Sequence, residues 1–249
     1  MTSTRIKLFL ARNGIFIALI ALVALFGSLN PNFLSPTSGV NILLQATELA
    51  IIAVPLAFLI MSGTIDLSVG SVASLAAVSG GLVMAQTGSS LLGILGGLAI
   101  GIIAGAINGL LISYLGLNSF VVTLGALSVW GGMALLLTGG KTIARSDLPE
   151  DFRAIGTATI GPMLTAKVQS ASPTIGTGME LNALTVVLLG GVAFEGGIGR
   201  ISGVVAGLLF FRVLNNGLIF LQASPFLQTV LVGLTLIVAV GLDSTIQKV

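Results

Sequence analysis

LSVGSVASLAAVSGGLVMAQTGSSLLGILGGLAIGIIAGAINGLLISYLGLNSFVVTLGALSVWGGMALLLTGG, the stretch from Leu67 to Gly140, runs for 74 residues without one Asp, Glu, Lys or Arg. About 20 consecutive apolar residues suffice to cross a bilayer, so a neutral run of this length holds several crossings. Composition outside it agrees. Charged residues make up 7% of the 249, hydrophobic ones 55%, and the mean hydropathy is +1.13. Soluble domains carry roughly 25% charge. Lipid is the solvent that fits.

Working outward, length and hydropathy place five spans in the first half: Asn13 to Leu29, ended by Asn30-Pro31, then Val40 to Ser62, ended by Ser62-Gly63, then Val69 to Ala85, Leu91 to Leu115, and Ser119 to Thr138. Arg5, Lys7 and Arg12 precede the first span, and the positive-inside bias puts that end in the cytoplasm. A cleaved secretory signal is the alternative. The apolar run is too long for a signal core, and Asn30-Pro31-Asn32 offers no small-residue cleavage site, so a retained helix is expected.

The character changes at Gly139. From there to Glu180 lie Lys141, Arg145, Arg153, Lys167, Asp147, Glu150, Asp151 and Glu180, with Pro149, Pro162 and Pro173. This is read as an external loop over 139–180. Three further membrane segments follow within 181–242: Leu181 to Phe194, Ile201 to Leu221 and Phe226 to Leu242. The first is short and reads as a half-helix or a tilted crossing. The fold class expected is therefore all-α, a polytopic transmembrane helical bundle of about eight membrane segments in one domain over 1–249.

Several chemistries are excluded by what is missing. There is no Cys and no His, which removes thiolate nucleophiles, the commonest metal ligand and the usual proton shuttle. Intramembrane serine proteolysis lacks its base. An aspartyl dyad lacks its second buried member, since only Asp66 borders an apolar run and Asp243 lies near the chain end. No Walker A loop occurs, so ATP dependence requires a separate subunit. No basic cluster beyond Arg5, Lys7 and Arg12 suggests nucleic acid. Neither an enzyme nor a bound cofactor is expected.

Small and polar residues carry the rest. Gly97-x3-Gly101-x3-Gly105 forms a stripe of the kind that lets membrane helices approach closely, within the chain or across a dimer seam. The order acid-Leu, Gly pair, Asn-Gly-Leu, Ser-Phe occurs twice. It runs through Asp66-Leu67, Gly80-Gly81, Asn108-Gly109-Leu110 and Ser119-Phe120, then through Glu180-Leu181, Gly190-Gly191, Asn216-Gly217-Leu218 and Ser224-Pro225-Phe226. On the expected topology the two copies are inverted repeats, an arrangement transporters use to place a pathway between bundles.

Ionisable groups within apolar runs are few: Glu48, Arg212 and, at a helix start, Asp66. A charge at the bilayer centre costs about 2.5–3.5 kcal/mol on insertion scales, so such groups face a bundle interior or water. Asp66, Asn108, Thr123, Glu180, Asn215 and Asn216 are the candidates for a solute path. Each also has a plainer role: Asp66 and Glu180 as caps of the helices that follow them, the asparagines as cross-helix bonds. Arg212 is expected to snorkel towards an interface, and Trp130 to pack.

Ser62-Gly63-Thr64-Ile65-Asp66-Leu67-Ser68-Val69-Gly70-Ser71, Ser119-Phe120-Val121-Val122-Thr123-Leu124-Gly125 and Leu136-Leu137-Thr138-Gly139-Gly140 resemble the permease subunit of bacterial ribose/xylose-type ABC sugar importers. So do Ser170 to Gly178 (SASPTIGTG), Leu189-Gly190-Gly191 and Leu214-Asn215-Asn216-Gly217-Leu218, in the family's order along most of the chain. The resemblance implies a plasma-membrane permease, paired with a second copy or a paralogue. It would take a monosaccharide from an extracytoplasmic sugar-binding protein and be driven by a cytoplasmic ATP-binding subunit. One departure stands out. Between Pro162 and Lys167 the chain passes directly from one external segment to the next, where the family places two more helices and a cytoplasmic loop of Gly-Arg and Ala-Ile-Gly-Gly-Asn pattern that docks on the ATPase. Impaired coupling is the expected result. A non-transporting accessory subunit beside a full-length permease is the alternative, and a passive channel or secondary carrier the third.

Overall fold

The computed structural model describes residues 2–157 and 170–246, with side chains described over 13–154 and 170–237. Nine α-helices lie within the described residues: α1 (Thr2–Leu29), α2 (Pro36–Met61), α3 (Val69–Thr87), α4 (Ser90–Ser113), α5 (Ser119–Thr138), α6 (Glu150–Thr157), α7 (Met179–Leu189), α8 (Ile201–Phe220) and α9 (Pro225–Ile246). Two 3-10 turns, Pro31–Leu34 and Arg145–Asp147, join them. Among the described residues the nearest thing to β structure is one isolated antiparallel bridge, Ile143 with Ala171.

Five helices, α2, α3, α4, α5 and α8, are long and apolar enough to cross a membrane. Three shorter apolar stretches, Asn13–Leu29, Met179–Leu189 and Pro225–Ile237, stand where the first, sixth and eighth predicted segments were placed. The fold is thus an all-α polytopic membrane protein. At 1.5 Å per residue the 11-residue α7 is only about 16 Å long, half the hydrocarbon thickness.

Helix boundaries follow local chemistry. α2 starts at Pro36, four residues before its predicted apolar start. Ser35 accepts the Ser38 N–H on its side chain, and Pro36 supplies the preset φ of a first helical position. Asn118 caps α5 by accepting from Phe120 and Val121. Gly88 and Gly139 end α3 and α5 in the left-handed conformation that residues with a Cβ resist.

The chain divides into two compact units. Unit one comprises residues Met1–Gly63 and Asn182–Val249, unit two residues Thr64–Leu181. In unit one, α8 packs on both α1 and α2. Its apolar centre is Phe26, Phe33, Ile42, Val213 and Leu218, with the Phe26 and Phe33 rings 5.5 Å apart and Phe220 edge-on to Phe33 at 5.9 Å. In unit two, α3 packs on α4 and α5 around Leu75, Val78, Met84, Ala104, Ala126 and Trp130. Trp130 is therefore a core residue, as its packing role predicted.

Each unit has a glycine crossing. Within unit two, Gly80 of α3 meets Gly93 and Gly97 of α4 so closely that a Cβ on Gly80 would lie 2.7 Å from the Gly93 carbonyl. Within unit one, Gly190, just after α7, meets Gly203 and Val204 of α8, and Gly207 reaches the Val186 carbonyl. These are matched positions of the two sequence copies: the Gly pair, then small residues at three- to four-residue spacing ahead of Asn-Gly-Leu. Small residues there let backbones touch, as dispersion and Cα–H contacts in lipid require.

Large apolar side chains point outward elsewhere: Ile102 is 71% exposed, Val121 67% and Leu136 82%. Such exposure on long neutral helices is what a lipid-facing surface looks like.

Candidate functional site: two buried polar clusters

In unit two the connection Ile65 to Ser68 is bonded by side chains of α4 and α5 and gathers polar groups. Asp66 Oδ1 accepts both the Ser68 N–H and the Ser68 hydroxyl, each at 2.7 Å. Ser68 stands just before α3 and is fully buried. The Asp66 carboxylate thereby closes a turn onto Ser68, but the N-cap position of α3 is Ser68 itself, and Asp66 accepts from no amide within the helix, so the cap expected of it is not formed. Asn108 of α4, 3% exposed, donates its Nδ2 to Ser68 Oγ at 2.8 Å. The amide, the hydroxyl and the carboxylate form one relay. Asn108 Oδ1 remains buried without a hydrogen-bond partner.

From α5, Thr123 donates to the Ser119 carbonyl at 2.8 Å and reaches the Ile65 carbonyl at 3.4 Å. Ser119 Oγ accepts the Ile65 N–H at 3.3 Å. Both ends of the Ile65 peptide unit are therefore held by α5, while α4 holds Ser68. A buried backbone segment outside a helix must find such partners.

Glu180, in the first turn of α7, stands apart from that relay. Its Oε1 accepts the Gly178 N–H at 3.1 Å, a local cap. Its Oε2 is buried, has no hydrogen-bond partner, and lies over Gly70 of α3. Ser74 Oγ accepts the Gly176 N–H at 2.9 Å and fixes the approach of that turn to α3.

Unit one holds the remaining candidates. Asn216 of α8 accepts the Ser38 hydroxyl of α2 at 3.1 Å, both residues being buried. Asn215 donates Nδ2 to the Phe211 carbonyl of its own helix at 2.8 Å. Arg212 lies one turn earlier, with Glu48 of α2 within electrostatic reach and the Phe211 ring 5.9 Å from its guanidinium carbon. Its Nε is buried without a hydrogen-bond partner.

The structure thus joins Asp66, Asn108 and Thr123 around one connection and leaves Glu180 beside it on separate partners. Sequence reasoning missed Ser68 and Ser38, the hydroxyls that receive or approach the asparagines. A serine immediately before or inside the first turn of a membrane helix was the available signal, because buried asparagine needs such a partner.

Comparison with known proteins adds the family. The model of the branched-chain amino acid transport system permease component matches residues 38–157. The ribose import permease of Bacillus subtilis is 31% identical over 296 residues, spanning 92% of this chain and 92% of that protein. The chain belongs to the ABC sugar-importer permeases. A D-allose transport permease of Escherichia coli is 28% identical, covering 97% of this chain and 94% of that protein, and an L-arabinose permease of the same species is 29% identical over 88% and 86%. No solved structure matches.

This permease is a multi-pass protein of the plasma membrane, and its family works with an ATPase and a substrate-binding protein. It is also short. The alignment to the Bacillus subtilis relative runs over 296 positions although the permease has 249 residues, so at least 47 of those positions have no residue here. The expected site of the shortening, Pro162 to Lys167, lies outside the described residues. Between α5 and α7 the described residues hold one α-helix, the eight-residue α6.

Proposed function

We propose that this chain is the permease subunit of an importer for a monosaccharide of the ribose/xylose class. One observation carries the reading: permeases for ribose, allose and arabinose match it over nearly their whole length, so the likeness is not confined to one motif. Topology supports it. With the N-terminus in the cytoplasm, five spans over 13–138 put 139–180 outside, and if all three segments within 181–242 cross, Arg200 and Lys248 return inside.

Asp66, Asn108, Thr123, Glu180, Asn215 and Asn216 are the groups near which a solute would pass. Asn108 and Glu180 support this most, because each keeps a buried oxygen without a partner, and hydroxyl groups of a sugar are donors that could satisfy one. An ATP-binding subunit, a binding protein and a second permease copy complete the transporter. The test is uptake of labelled ribose, arabinose, allose and galactose in cells stripped of their own permeases but supplied with the cognate ATPase and binding protein. Slow uptake of at least one sugar is expected, above the empty-vector rate but well below that of a full-length relative, because coupling to the ATPase is impaired. Rates no higher than the empty vector for all four would refute transport by this chain.

A second reading draws on the missing positions. An accessory copy would co-purify with a longer paralogue and move nothing alone, which the same cells distinguish when the paralogue is added back.

A further inference from the structure

We propose that Arg212 is a solute-contacting residue of this permease: its guanidinium donates to the oxygens of a neutral polyhydroxylated solute, with Glu48 balancing its charge. The proposal rests on the sugar-permease reading and adds to it a residue outside the candidates above. Three observations carry it, all within unit one.

First, position. Arg212 is the twelfth residue of the 20-residue α8, so its Cα stands about 12–16 Å from either helix end at 1.5 Å per residue. An arginine stem extends roughly half that distance, too short to bring the charge to an interface. The snorkelling expected from sequence does not relieve it.

Second, satisfaction. Arginine carries five N–H donors and no acceptor. The Nε–H is buried with no partner, and the recorded aromatic contact, with the adjacent Phe211, offers a π face at 5.9 Å and no lone pair. An intramembrane cation in that condition belongs to a polar cavity or a path, because hydrocarbon cannot solvate it.

Third, neighbours. Asn215 lies three residues on, the spacing that brings side chains together on one helix face. One N–H of its Nδ2 goes to the Phe211 carbonyl, which leaves its carbonyl oxygen and the second N–H to offer. Beside Arg212 this places a donor fork and an acceptor together, the pairing that vicinal hydroxyls can satisfy at once. Glu48 on α2 supplies a negative charge to the same region. A site holding one cation and one carboxylate favours a neutral polyol over a sugar acid.

The test uses the full chain in proteoliposomes with its ATPase and binding protein, and has two arms. In the first, Arg212→Met and Arg212→Lys are compared with wild type for labelled-aldose uptake, after both variants are shown monodisperse in detergent. Losing a charge-assisted hydrogen bond raises KM about tenfold in Arg212→Met. Arg212→Lys, which keeps the charge but not the fork, should fall between. Unchanged KM in both overturns the proposal while leaving the permease reading intact.

The second arm needs no transport. An arginine-selective dicarbonyl is applied to wild type, and modification of Arg212 is read by mass spectrometry with and without a neutral aldose or the corresponding uronic acid. Modification that the aldose slows and the uronic acid does not is the expected result. An unreactive Arg212, or one equally reactive under all conditions, overturns it. If wild type moves no sugar, the permease reading fails and this arm alone decides Arg212.

Discussion

A Cβ built on Gly70 would strike Glu180 Oε2 and the Gly176 carbonyl oxygen together. The glycine is therefore the condition for a buried carboxyl to lie against α3. Gly70→Ala must displace either an acid whose burial depends on its cap or a turn whose amide is held by Ser74. Overpacking of this kind costs roughly 1–3 kcal/mol. Gly101→Ala is the matched control, since a Cβ there meets nothing within 4 Å. In detergent, Gly70→Ala should melt several degrees below wild type and Gly101→Ala beside it; identical melting curves would mean the close approach is absent in solution. The glycine pattern was legible only in part. Gly97, Gly101 and Gly105 read as one stripe from their spacing, yet Gly97 touches the Ala76 carbonyl of α3 while Gly101 and Gly105 face open space. Gly70 gave no signal, because its partner lies more than a hundred residues away and spacing along one helix cannot reveal it.

At the scale of elements, the apolar helices were readable because lipid demands a long neutral run for each crossing, and that demand is written into composition. The segment after α5 was not. It was expected as loop, and it contains α6, with Glu150 and Asp151 in its first turn after Pro149, and the bridge between Ile143 and Ala171. Acids following a proline are an N-terminal helix signal, but eight residues leave too little periodicity to weigh against three prolines and a charge cluster. Asp151 joins α6 to α4 by accepting the Ser90 hydroxyl at 2.5 Å, and that bond is the main reason its carboxyl titrates below the ordinary 3.8. A depressed carboxylate stabilises fully above its unfolded pKa and loses that contribution as pH falls through the folded one. The docking of α6 should therefore hold at neutral pH and weaken only below about pH 4, and Ser90→Ala should lose most of that pH dependence. Hydrogen exchange of the α6 amides between pH 3 and 6 reads this directly. A Ser90→Ala profile superimposed on wild type would show that the hydroxyl does not set the acid limit.

For the whole molecule, the two copies of the sequence pattern become two glycine crossings, Gly80 with Gly93 in one unit and Gly190 with Gly203 in the other, each followed by a buried asparagine bonded to a serine. That much duplication was visible as order along the chain. The serines that bond the asparagines were not, because the hydroxyls the pattern contains, Ser119 and Ser224, are not the ones that meet Asn108 and Asn216. What the pattern does not contain is a place for ATP energy to enter. A nucleotide-driven partner shifts a permease between states only through a contact whose free energy differs between them. The family's cytoplasmic docking loop is the expected place for that contact, and the shortfall of at least 47 aligned positions is large enough to contain it with its flanking helices. A population shift from 1:99 to 99:1 takes about 5.5 kcal/mol of differential binding, more than incidental contacts at short connecting loops supply. Purified with its cognate ATPase and binding protein, the chain should therefore leave ATP turnover within about twofold of the ATPase alone when sugar is added. Grafting a relative's missing segment between Ile160 and Lys167 should restore stimulation by sugar. Robust stimulation without the graft would place the coupling contact in the residues this chain already has.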